Sequence, residues 1–135
     1  MKLVFENPYV SIFFDAENSI LVDVWLTNSK PINEETFKDI MYVCRNLMQE
    51  NQIKYSLTDT LYFDFPATPE IQDWVVENIT KPTAKNFSLC KQAFIMPIEL
   101  ISSLGIEQFA DENNEKVTKT AYFSDIASAR KWLLS

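Results

Sequence analysis

The residues in this chain best placed to do chemistry are Asp59 and Thr60, at the end of the β-rich run 54–59. A carboxylate closing a strand, followed by a hydroxyl, lies where ligands of an open α/β sheet collect, beyond the strand's carboxyl end. Asp64 supplies a second acid five residues on, so an acid/base pair or a Mg²⁺ site is one reading. A phosphoacceptor at Asp59 is a related one. A receiver-type acceptor also needs an acidic pair after the first strand and a lysine after the last. Here Asp15 and Glu17 fall in a hairpin turn and Lys119 precedes its strand. Residues 60–66 hold three aromatic rings, Tyr62, Phe63 and Phe65, and no glycine. These rings either form an exposed contact surface or fold back as a lid on the core.

Two absences narrow the chemistry. The chain has no histidine, which removes imidazole acid–base catalysis, histidine triads and histidine metal ligands. It has one glycine, Gly105, so no phosphate-binding loop, dinucleotide fingerprint or nucleophile elbow can be built. No cofactor and no metal site are expected. The two cysteines, Cys44 and Cys90, lack metal-type spacing and read as small buried hydrophobes of a cytoplasmic protein. A net charge of −7 with scattered lysines and arginines argues against nucleic acid as a partner. The acidic stretch 111–115 reads as a solvated loop. No apolar run approaches the ~20 residues of a membrane span, and residues 1–6 do not resemble a signal peptide.

The elements that would hold Asp59 follow from periodicity. Residues 2–5 form a short strand ended by Asn7 and Pro8. Residues 9–14 and 19–26 are two β-rich runs joined by the turn cluster 15–18, hence an antiparallel hairpin. Asp23 interrupts the second run. If the face carrying Leu21 and Trp25 is covered, its carboxyl is buried and its pKa rises; otherwise it is an acid on a partly solvated edge. Asn33 caps a helix whose apolar face is Phe37, Ile40, Met41, Cys44, Leu47 and Met48. The run 54–59 then returns parallel to the hairpin. Thr68 and Pro69 start a second helix with Ile71, Trp74, Val75 and Ile79 inward, stopped at residues 80–82. Residues 89–96 make the next strand, and Pro97 opens a third helix carrying Ile98, Ile101 and Leu104, with Gly105 as its cap or a break before residues 106–109. A last strand at 120–123 leads to a fourth helix, capped at Ser124 and Asp125, with Ile126, Ala129 and Leu133 inward and Trp132 over a seam. The expectation is one α/β domain over 1–135, a sandwich with a mixed sheet of five or six strands and four helices.

This layout resembles the STAS/SpoIIAA-like family of small bacterial proteins. Three passages carry the likeness: residues 20–25 as an early strand, Asp59 followed by the Trp74 helix, and the ending Tyr122, Phe123, Ser124, Asp125 with Ala129, Trp132 and Leu133. The resemblance implies a STAS-like fold and a non-catalytic regulatory, protein-interaction or ligand-sensing module. A homodimer, an unknown protein partner or a small apolar ligand are the partners it suggests. In the founding anti-sigma-factor antagonists a serine in an Asp-Ser-Ser-Gly stretch is phosphorylated by a partner kinase. Here the stretch is Asp59, Thr60, Leu61 and Tyr62; the second hydroxyl and the glycine are replaced by bulk. The expected contact surface is therefore Asp59, Thr60, Tyr62, Phe63 and Phe65, and the alternative is a small carboxylate-dependent enzyme or phosphoacceptor using Asp59.

Overall fold

The computed structural model describes residues 1–27, 32–62, 68–83, 89–103 and 119–135. Six strands form one sheet in chain order: β1 (Lys2–Glu6), β2 (Val10–Asp15), β3 (Ile20–Trp25), β4 (Tyr55–Asp59), β5 (Lys91–Ile95) and β6 (Lys119–Phe123). The first three strands pair antiparallel and the last three join β3 in parallel. β1, at the edge, carries a register shift between Leu3 and Phe5, the kind of irregularity that discourages another chain from adding there.

With one glycine in the chain, two tight reversals are made by other residues. Ser19 (φ 58°) closes the β2–β3 turn and Gln52 (φ 51°) ends the first helix, both in the left-handed region. Asp15 braces the first of these turns, accepting hydrogen bonds from Asn18 N (3.2 Å) and Asn18 Nδ2 (3.0 Å). Gln52 N–H reaches back to the carbonyls of Gln49 and Met48, which satisfies the helix end.

Helices cover both faces of the sheet. Helix α1 (Glu34–Asn51) lays Phe37, Ile40, Cys44 and Met48 on Val10, Ile12, Leu21 and Trp25, with Ile71 of helix α2 (Pro69–Val75) completing that layer. The other face belongs to the last helix, α4 (Ile126–Leu133), whose Ala129 and Leu133 pack on Ile20, Val22, Leu57, Ala93 and Ile95. Successive residues of a strand point to opposite sides, so β3 serves both layers at once. This is why residues 20–25 read as nearly continuous apolar sequence. The Arg130 guanidinium pins α4 to the hairpin through Asp15 (3.0 Å). The Lys91 ammonium caps the end of α4 at the Trp132 and Ser135 carbonyls (3.1 Å each) and lies over the Trp132 ring.

Several expectations are corrected. Among the described residues, three helices are long enough to cover the sheet rather than four: the segment after β5, α3 (Ile98–Ser103), runs for only six residues. Helix α2 does not stop at residues 80–82. It widens into a π-helical turn at Val76–Thr80 and stays helical through Thr83. Proline at 82 has no N–H for the Asn78 carbonyl. Arg45 Nη1 donates to that carbonyl instead (3.3 Å), tying α2 to α1. Cys90 is exposed just before β5, whereas Cys44 is buried as expected. Ile126, expected inward, is exposed, and so is Ile98, expected as an apolar residue of the third helix. Each is the first residue of its helix, three residues past the end of the preceding strand. Leu104, Gly105 and the acidic stretch 111–115 lie outside the described residues.

Because Leu133 is fully buried and α4 is the helix seen covering its face, Leu133→Ala should lower unfolding free energy by about 3 kcal/mol, measured by urea denaturation. A loss below about 1 kcal/mol would mean that α4 is not an integral layer of the domain.

Candidate functional site

The parallel ladder aligns the strand ends. Val24, Asp59, Ile95 and Phe123 are register partners across β3 to β6. The alignment continues one step past the strands, where Thr60 N donates to Ile95 O (2.8 Å) and Met96 N to Phe123 O (3.0 Å). The three following loops therefore leave the sheet side by side. Three residues beyond each register partner stand Tyr62, Ile98 and Ile126, which are 60%, 61% and 45% exposed. Each stands three residues past an aligned strand end, Tyr62 in its loop and Ile98 and Ile126 at the starts of α3 and α4, and these three positions are called the rim of the sheet's carboxyl end.

Asp59 and Thr60 are the roots of this rim. The half-buried Asp59 accepts from Leu61 N–H through Oδ1 (3.1 Å), a side-chain turn that shapes the loop. The Thr60 hydroxyl donates to the Ile95 carbonyl (2.8 Å), which also takes the Thr60 N–H. Both side chains are thus engaged in holding β4 and its loop against β5. Among the described residues, no three of His, Cys, Asp or Glu gather where they could hold a metal ion. Phe63, Asp64 and Phe65 lie outside the described residues. Asp15 sits at the far end of the sheet from Asp59, and Lys119 opens β6 there rather than preceding it, so the parts of a receiver site are not brought together.

A second chemical feature lies inside. The face carrying Leu21 and Trp25 is covered by α1, and Asp23 is buried between the two. Its carboxyl accepts from Trp25 Nε1 (2.9 Å) and Thr58 Oγ1 (3.0 Å). Burial pushes its pKa from 3.8 up to about 6, against the pull of those two hydrogen bonds and with a smaller push from the charge on Asp59. The same burial, helped by the Asp23 charge, holds the Cys44 thiol well above its ordinary range, so it is a packing group. Farther along that face Gln92 Nε2 donates to Thr120 Oγ1 (2.8 Å), a second buried polar pair. A carboxyl enclosed this way can tune stability with pH but offers no access to a substrate.

Of the residues singled out by sequence, Asp59, Thr60 and Tyr62 are thus brought to one rim. Ile98 and Ile126 were missed because helical periodicity groups them with the apolar residues of their helices, Ile126 on the inward side. The signal that finds them is their common spacing, three residues after the ladder position. Comparison with family models, with curated proteins and with solved structures returns no match.

The Asp23 pKa fixes a sign. Below about pH 4 the group is protonated both folded and unfolded and adds nothing. Between pH 3.8 and about 6 the unfolded chain ionises at this position while the buried carboxyl keeps its proton, so stability falls by about 3 kcal/mol over that window and levels off above it. Asp15 acts oppositely and lower: hydrogen bonding from Asn18, then Arg130, holds its pKa near 2, and the stability it contributes is lost only below 3.8. Asp23→Asn should therefore flatten the decline between pH 4 and 7 in urea unfolding curves. An unchanged pH slope would mean that Asp23 ionises freely.

Proposed function

We propose that this protein is a non-catalytic interaction module of STAS-like type that presents the carboxyl end of its sheet to a protein partner. The observation that carries the reading is the rim: Tyr62, Ile98 and Ile126, exposed at equivalent positions after β4, β5 and β6. Side chains of this size kept in water in a row are what contact surfaces are made of. The engagement of Asp59 and Thr60 in loop geometry supports a scaffold role for them over acid–base work or phosphoryl acceptance. The filling of the α1 layer by Trp25, Phe37 and Ile40 favours a protein over a small apolar ligand held inside. The STAS-like part of the reading rests on the layout, an N-terminal hairpin followed by strand–helix units in sheet order.

A photo-crosslinking residue tests it. Benzoylphenylalanine in place of Tyr62 should trap protein partners in extract of the source cells, and the same group in place of Lys54, at the opposite end of the sheet, should trap few. The trapping should fall when Ile98 and Ile126 are changed to serine. Equal trapping from both ends would remove the rim as the contact surface, and light scattering on the purified protein reports whether the partner is a second copy.

A further inference from the structure

The parallel topology does more than align the apolar rim. Every helix of a strand–helix unit starts at the carboxyl end of the sheet, so whatever charge the first turns carry accumulates there. Glu34 and Glu35 open α1, Glu70 opens α2, Glu99 opens α3 and Asp125 caps α4; all five are exposed. Among the described residues, the strand carboxyl ends and helix first turns carry no lysine or arginine. The nearest along α1, Lys38, is one turn in and already paired with Glu34 (3.4 Å). At the other end the described residues include Lys54, Lys91 and Lys119 at the strand starts, and Arg130 and Lys131 in the last turn of α4. First-turn acids stabilise their own helices by complementing about half a unit of positive charge at each N-terminus. Each full negative charge outweighs its half-charge terminus and α1 carries two, so among the described residues this end of the molecule is negative.

The geometry points to a basic amphipathic helix as the partner of the rim, an inference that rests on the interaction reading above. Adjacent strands are about 4.8 Å apart, so the roots of the three loops span about 10 Å. The apolar positions i, i+3 or i+4, and i+7 of a helix cover about 10.5 Å. A helix laid across the ends of β4, β5 and β6 thus matches the span of the three loop roots, with one apolar residue for each of the segments that carry Tyr62, Ile98 and Ile126. Lysines and arginines flanking that stripe meet Glu70, Glu99 and Asp125. Two copies of this chain meeting rim to rim would oppose carboxylates to carboxylates, which disfavours a symmetric dimer through this end. Nucleic acid and anionic membrane are opposed for the same reason.

Three fluorescein-labelled synthetic peptides of about 18 residues test the inference by anisotropy: one with a leucine stripe and lysines and arginines elsewhere, a twin with glutamates for the basic residues, and a twin with serines for the leucines. The basic amphipathic peptide should bind about tenfold tighter than either twin and should weaken as salt rises. Ile98→Ser/Ile126→Ser and, separately, Glu70→Lys/Glu99→Lys should each weaken it about tenfold, while Lys54→Glu/Lys131→Glu leaves it unchanged. All these positions are exposed, and a thermal melt checks that each variant is folded. Binding of the acidic twin as tight as the basic one, still lost in Ile98→Ser/Ile126→Ser, would overturn the basic partner and keep the rim. Binding of every peptide indifferent to Ile98 and Ile126 would overturn both. Self-association in sedimentation velocity that the same serine variant abolishes, with no peptide binding, would overturn the basic helix in favour of a second copy.

Discussion

The parallel ladder from β3 to β6 is the constraint on which the rest of the molecule depends. Its in-order pairing puts Val24, Asp59, Ile95 and Phe123 in one row, and every feature of the carboxyl end follows from that row. Loops that would otherwise be unrelated leave from adjacent points. Helix starts, with the acids that favour helix starts, gather on the same side. Among the described residues, exposed apolar side chains and first-turn acids at one end of the sheet are thus a consequence of topology acting on ordinary local rules, since no single segment encodes them.

The same ladder divides the interior. One face meets α1 and α2 through large side chains, Trp25 against Phe37 among them, with ring centroids 5.5 Å apart. The other is closed by the eight-residue α4, held by contacts at its far end: Arg130 to Asp15 and Lys91 to the last carbonyls. On the sheet face toward α1 two sets of buried polar groups are paired, Asp23 with Trp25 and Thr58, and Gln92 with Thr120. Buried polar groups without partners would cost the domain more than these pairs do, and the Asp23 carboxyl still carries a penalty once it ionises.

The chain also manages with a single glycine, and the cost appears locally. Ser19 and Gln52 occupy left-handed backbone, and a π-helical turn carries α2 past Pro82 with Arg45 serving the carbonyl that proline leaves. Arg45 further stacks over Tyr42, which meets the Trp74 ring edge-on, so α1 and α2 are joined by side chains along a common seam. These contacts fix where α2 runs after the Asp59 strand.

Much of the fold was legible in the residues alone, because local rules determine it. The six strands, the hairpin, the caps at Asn33, Thr68 and Asp125, and the buried stripe of α1 all follow from periodicity and capping chemistry. Asp59, Thr60 and Tyr62 were legible as a strand end and its loop. Whether Asp23 was buried was not, since that depended on α1 covering its face. Nor was the exposure of Ile98 and Ile126: the helical period says which side of a helix they share with Ile101 or Ala129, but only the packed structure decides how far along the helix that side is covered. The sequence by itself determined the elements and their order. Tertiary structure decided which ends coincide, because register between distant strands, and with it the rim, exists only once the sheet has formed.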